Sequence, residues 1–228
     1  MESWDYRRWT GAIGIVWVVI QVVGIVLFLL AGNPPDFADA KKFTSWINTN
    51  SGLLIADAFL TGIATIPLLV LFTGLRSLIR TAGEGWEWAS ALFFGAGVVT
   101  AAVLVIGAAA EAAAAFVSGS GTEPTTVRAA WAATEMVLTF LYLPSAVVIG
   151  TLAYASLETG ILPRWLAWLS GVVAVLEVIA SLTIFGGTGN TGPIGLLPLI
   201  LGALPVFVWV ASVSFVLIRS PRMKMAAS

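Results

Sequence analysis

The chain predicts an all-α integral membrane protein of six transmembrane helices, organised as a single domain over residues 1–228. Three observations carry that prediction. Only 10% of the residues are charged and 59% are hydrophobic, with a mean hydropathy of +0.98. A soluble domain carries about 25% charged residues, so this composition cannot cover a water-facing surface. Six stretches reach the roughly 20 apolar residues needed to cross a bilayer, and the basic residues alternate from loop to loop.

The first span, Thr10–Ala31, follows Arg7 and Arg8. Its apolar run is too long for the core of a signal peptide, and Leu29-Leu30-Ala31-Gly32 is a poor cleavage site, so it reads as a retained helix. The loop from Gly32 to Ser51 opens with Asn33-Pro34-Pro35-Asp36. In it Phe37, Ala40, Phe43 or Thr44, and Ile47 recur at helical spacing, which predicts a short interfacial helix. Such a helix serves either as a lid packed over the bundle or as a gate.

The remaining spans are Gly52–Leu75, Trp88–Phe116, Arg128–Ser156, Trp165–Phe185 and Pro193–Ile218. The turn Ser118 to Pro124 is Gly- and Ser-rich, and the loop Gly186 to Pro193 is uncharged and rich in Gly, a plain connector or a mobile mouth.

Arg7, Arg8, Arg76, Arg80, Arg164, Arg219, Arg222 and Lys224 fall on one side of this arrangement; Lys41, Lys42 and Arg128 fall on the other. The positive-inside rule then places both termini in the cytoplasm. Trp4, Trp9, Trp86, Trp88, Trp165 and Trp168 sit at the same ends, where amphipathic indoles favour the headgroup level.

The spans also read as three degenerate helical hairpins, since each even span holds an aliphatic-Pro step: Ile66-Pro67, Leu143-Pro144 and Leu204-Pro205. Proline removes a helical hydrogen bond and kinks the chain. Three prolines at one depth make either a hinge layer or plain packing geometry.

Most chemistry is excluded by what is missing. With no Cys and no His there are no disulfides, thiolate nucleophiles, Ser-His triads, histidine or cysteine zinc sites, or ordinary haem ligands. No Lys lies deep in a span for a Schiff base, and Gly95-Ala96-Gly97 lacks the context of a phosphate loop. No cofactor is expected. A net charge of −1 gives no reason to bind nucleic acid.

What demands an explanation is a set of acids inside the spans: Asp57, Glu111, Glu135 and Glu177, with Gln21 as a polar companion. An ionised acid at a span's centre costs about 2.5–3.5 kcal/mol on insertion scales. No basic residue lies deep enough to offset it, although Arg128 is within reach of the outer acids. Asp57, Glu111 and Glu135 share a level in the outer third; Glu177 lies lower, near the depth of Gln21. If the second, third and fourth spans adjoin, an outward-facing acidic vestibule follows. Oxygen ligands suit a hard cation, with Asp57, Glu111 and Glu135 as ligands if a metal is held, or a proton relay. The alternatives are protonated carboxyls that merely bridge helices, and polar contacts to a lipid or substrate.

Three segments carry a resemblance: Phe72-Thr73-Gly74-Leu75-Arg76-Ser77-Leu78-Ile79-Arg80, Gly160-Ile161-Leu162-Pro163-Arg164-Trp165-Leu166-Ala167-Trp168-Leu169-Ser170-Gly171, and Leu204-Pro205-Val206-Phe207-Val208-Trp209 running to Arg219. Together they resemble a family of uncharacterised six-helix bacterial membrane proteins, known only as a domain of unknown function. The resemblance implies a six-helix bundle in the bacterial plasma membrane, and it transfers no activity and no functional residue.

Three functions remain in view, the accessory subunit preferred over the transporter, and last an intramembrane lipid enzyme using carboxylates as acid and base, for which neither a nucleophile nor a phosphate-binding basic cluster appears beside them. Short loops, small-residue faces and the lack of a catalytic constellation point to an accessory subunit of a larger membrane complex, partnered by another membrane protein or by copies of itself within the lipid bilayer. The shared-level acids, the prolines and the Gly-rich loop point instead to a small transporter or channel for a cation, a proton-coupled solute or a lipid-like molecule.

Overall fold

The computed structural model describes residues 3–187, 191–193 and 195–219, the first three of these as backbone only. The Trp4 side chain, the loop residues Thr188, Gly189 and Asn190, and Arg222 and Lys224 lie outside the described residues.

Six helices are long and apolar enough to cross a membrane, and among the described residues there is no strand. The chain is an all-α, multi-pass membrane protein. The spans are α1 (Ser3–Leu30), α3 (Ser51–Arg80), α4 (Glu87–Ser118), α5 (Pro124–Thr159), α6 (Arg164–Phe185) and α7 (Leu196–Arg219), with the short α2 (Ala40–Thr49) between the first two. Several helices outrun their expected ends. Among them α5 begins at Pro124, one turn before Arg128, because a proline in the first turn has no helical N–H to lose.

Each span packs on the next in chain order, α7 returns to α1, and α6 also touches α7, so the six close into a ring. Arg8 donates from Nε to the Ile218 carbonyl at 3.3 Å, joining the start of α1 to the end of α7. This arginine-rich end also carries the exposed indoles of Trp9, Trp88, Trp165 and Trp168, the ring expected at a lipid–water boundary. The other end carries α2.

The half of the bundle near the arginine-rich end is packed solid. Leu71, Leu75, Ile79, Phe93, Ile149, Leu152, Leu166 and Leu217 are almost wholly buried in one cluster. Lipid tails are as apolar as leucine, so tight van der Waals contact and interhelical hydrogen bonds hold such a core. One such bond runs from Trp209 Nε1 on α7 to Ser170 Oγ on α6, at 2.8 Å.

The opposite end is closed differently. Asp39 caps α2 by accepting from the Lys42 N–H at 3.1 Å. Phe43, Thr44 and Ile47 are the buried face of α2, as their spacing predicted. Phe43 and Ile47 join Leu54, Ala114, Ala115, Val127 and Trp131 in a second apolar cluster. Trp46 donates to the Ala31 carbonyl at 2.9 Å, and Thr44 donates to the Pro124 carbonyl at 3.2 Å. Rings of Phe37, Phe43, Trp46 and Trp131 stack edge-on or tilted across this seam. The short helix is therefore pinned across the bundle as a lid. Arg128, expected within reach of an acid, serves this lid instead: its Nη1 donates to the Ala38 carbonyl at 3.0 Å and its guanidinium sits 5.7 Å from the Phe37 ring centre.

Candidate functional site

Between the packed core and the lid lies a partly enclosed cavity of about 280 Å³, lined by all six spans. Depth can be counted from the arginine-rich end at about 1.5 Å per residue. On that count Glu177 lies about 20 Å in, and Asp57 and Glu111 about 35 Å in. Phe72, Trp209, Phe207 and Trp17 fall between about 12 and 21 Å. The chamber thus has an aromatic floor, one acid at the level of that floor, and two acids beneath the lid.

Of the five side chains singled out from the sequence, Gln21, Asp57, Glu111 and Glu177 all line this chamber. Glu135 does not; the neighbouring Trp131, one turn back on α5, offers its indole N–H to the Glu135 carboxyl. Asp57 and Glu135 both remain within electrostatic range of Glu111, as their shared level required. The adjacencies that an acidic vestibule needed, α3 with α4 and α4 with α5, are present. The vestibule is covered rather than open, because the lid cluster lies one turn above each acid: Leu54 above Asp57, Ala114 and Ala115 above Glu111, and Trp131 above Glu135. Among the described residues no three acidic side chains converge closely enough to hold a metal ion, so Asp57, Glu111 and Glu135 do not form a ligand triad.

Glu177 is the residue with the least support. It is 1% exposed and is the sole contribution of α6 to the lining among the described residues. Ser145 is its polar neighbour, yet Oε1 has no hydrogen-bond partner. Trp17, 3% exposed, also leaves its indole N–H without a partner. Buried polar groups are nearly always paired, and an orphan calls for a specific account. No Lys or Arg lines the chamber, and the one ion pair among the described residues, Lys42 with Asp39 at 3.2 Å, is on the lid.

Local sequence explains how the acids are presented. Asp57 Oδ1 occupies the space that a β-carbon would fill at Gly24, so only glycine on α1 lets that carboxyl seat there. Gly202 makes the same allowance for the Tyr142 ring, whose hydroxyl donates to the Pro198 carbonyl at 3.2 Å. Thr61 donates to Gln21 Oε1 at 3.5 Å.

The prolines mark the level of the floor. Each immediately precedes a lining residue: Pro67 before Leu68, Pro144 before Ser145, and Pro205 before Val206. Helices α3 and α5 run through their prolines without a break. In α7 the turn before Pro205, Leu199–Ala203, widens to a π-helix. Pro205 has no N–H for the Leu201 carbonyl and its ring crowds that carbonyl, and a wider turn relieves both. Ala203, Val206 and Phe207 enter the chamber beside this turn.

Trp17, Tyr142 and Ser145 were not anticipated as site residues. A signal existed for two of them. Trp17 lies deep in a span, unlike the indoles of the interfacial ring, and Tyr142 places a hydroxyl at mid-membrane two residues before a proline. Nothing comparable marks Ser145.

No protein-family profile, no curated protein and no solved structure matches the chain. The functional reading therefore rests on the residues and geometry of this molecule.

Proposed function

We propose that this multi-pass membrane protein is a small transporter that holds its solute in the central chamber, with Glu177, Asp57 and Glu111 as the polar contacts. The observation that carries this reading is the orphaned Glu177 oxygen, buried and facing a chamber bordered by every span. Ser145 on α5 reaches this carboxyl but leaves Oε1 unmet. A carboxyl placed there only to bridge helices would have both oxygens satisfied, because an unsatisfied buried polar atom is costly. Closure on both sides, by the lid and by the apolar core, supports a carrier over an open pore. With the termini in the cytoplasm, the lid would face outward and the core would be the inner barrier.

The test is solute flux into proteoliposomes across a panel of protons, alkali and alkaline-earth ions, amines and neutral solutes. Glu177→Gln, Asp57→Asn and Glu111→Gln should each suppress the flux that the unaltered protein supports while leaving a monodisperse, helical protein. Unchanged flux in all three variants would reject the chamber as the transport site.

An accessory-subunit role is the competing reading. A groove on the outer face between α3 and α4, lined by Gly62, Ala109 and Ala112 among larger residues, favours it, since small residues let another helix approach. Gentle extraction followed by mass spectrometry decides between the two. A stoichiometric partner would establish the subunit role, and recovery alone would end it.

A further inference from the structure

We infer that the solute is a small organic cation, an ammonium carried on an apolar or aromatic body. This inference rests on the chamber being a solute site and adds the chemistry of what fills it.

Three features select that class. The chamber presents carboxyls and no basic side chain, so its polar complement is positive. Glu177 is 1% exposed and lines the chamber, and its Oε1 has no partner although Ser145 reaches the carboxyl, which leaves one acidic oxygen unspent by the protein itself. Among aliphatic side chains the walls also carry rings: Trp17 and Phe207, with centroids 5.4 Å apart, and Phe72 and Trp209. Aromatic faces attract organic cations, and more strongly where water is excluded.

Rival ligands fit less well. A bare inorganic cation needs several oxygens around one point, and no three acids converge among the described residues. An anion would meet three carboxyls and no basic side chain, with only neutral donors such as the Trp17 indole N–H to offset them. A two-chain lipid exceeds about 280 Å³, a volume near the lower end of small-molecule pockets, which run from roughly 300 to 1,000 Å³. A neutral apolar solute would lie on the rings and leave Glu177 Oε1 without a partner. An ammonium satisfies both parts at once: its N–H donors or its charge meet Glu177, and its body lies on the aromatic floor.

Isothermal titration of the purified full chain in lipid nanodiscs tests this with 2-phenylethylamine, its neutral analogue 2-phenylethanol, the anion 3-phenylpropionate, and sodium and calcium alone. The amine should bind at least tenfold more tightly than the alcohol, a difference of about 1.4 kcal/mol, and the anion should not bind. Glu177→Gln should cost the amine tenfold or more and leave the alcohol unchanged. Phe207→Ala, a second route into the same site, should weaken both. Glu158→Gln, which removes a carboxyl at the exposed end of α5, should change neither.

Equal binding of amine and alcohol, untouched by Glu177→Gln, would overturn the cation class while leaving the chamber as a solute site. Saturable sodium or calcium binding lost in Glu177→Gln, with no amine binding, would overturn it in favour of a bare ion. Absence of binding by every probe, to a protein that remains monodisperse and helical, would overturn this inference and the transporter reading together.

Discussion

The two halves of the bundle use the same apolar alphabet for opposite ends. Near the arginine-rich end, Leu75, Ile79, Leu152 and Leu166 interlock with almost no exposed surface. Toward the lid the same helices carry Asp57, Glu111, Ala108 and Gln21 around open volume, closed only by the ten residues of α2 and the side chains it meets. Stability is concentrated in the first half and polar chemistry in the second. A carrier needs that division, since a site that must bind and release cannot also be the most tightly packed part of the fold.

The comparison breaks most sharply if the packed half is hollowed. Leu75→Ala should destabilise by about 2–5 kcal/mol, the range for a large-to-small change in a close-packed site. Leu141→Ala removes the same atoms from the chamber wall and should cost no more than about 1–2 kcal/mol, because that side chain already borders free volume. Denaturation from mixed micelles measures both, and equal losses would show that the chamber is not open space.

Next in size is Gly24→Ala. Its methyl group claims the position of Asp57 Oδ1, so the carboxyl must swing away at a cost of about 1–3 kcal/mol. Ligand binding should fall along with stability, whereas Leu75→Ala should lower stability alone. Titration of the two variants side by side reads the difference.

Ser170→Ala should cost about 1 kcal/mol, since Trp209 Nε1 then loses its acceptor. Trp209 also lines the chamber, so its fluorescence should shift in this variant and report whether the floor moves with the core.

The smallest effects belong to the lid. Trp46→Phe keeps the ring contacts but loses the bond to Ala31, and should speed amide exchange in residues 40–49 without altering the melting of the core. The Lys42 N–H that Asp39 accepts holds its carboxyl below the ordinary aspartate value. A carboxyl of lowered pKa contributes fully above its ordinary range, and the contribution is lost as pH falls through the lowered value. Protection of the α2 amides, taken relative to the intrinsic exchange rate at each pH, should therefore stay flat from neutral to mildly acidic pH and fall only below the ordinary carboxylate range. Uniform exchange across α2 and α5 would mean that the lid does not open on its own.

Much of this was legible in advance because it depends on local sums. Hydropathy over some 20 residues located each span; the spacing of Phe43 and Ile47 marked the buried face of α2; and counting along the helices placed Asp57 level with Glu111. What could not be counted was direction. A soluble helix reveals its inner face by polarity, but here the outer face meets lipid, and Val19, Val23 and Val26 are exposed beside a core of the same character. Nothing in the local pattern separates Glu135, met by its own helix's Trp131 and outside the chamber, from Glu177, which lines the chamber with one oxygen unpartnered. Arg128 looked like a partner for an acid and instead holds the lid.

Taken alone, the sequence determined that this protein crosses a membrane six times, with a short amphipathic helix after the first span, acids buried at two depths and a proline in every second span. The closure of the six spans into a ring, the choice of which acids face its centre, the lid across one end and the solid core at the other were decided only by tertiary packing. The physical reason is that insertion is settled residue by residue through transfer from water to hydrocarbon. The rotation of each helix is settled by which small side chains, such as Gly24 and Gly202, let a neighbour come close.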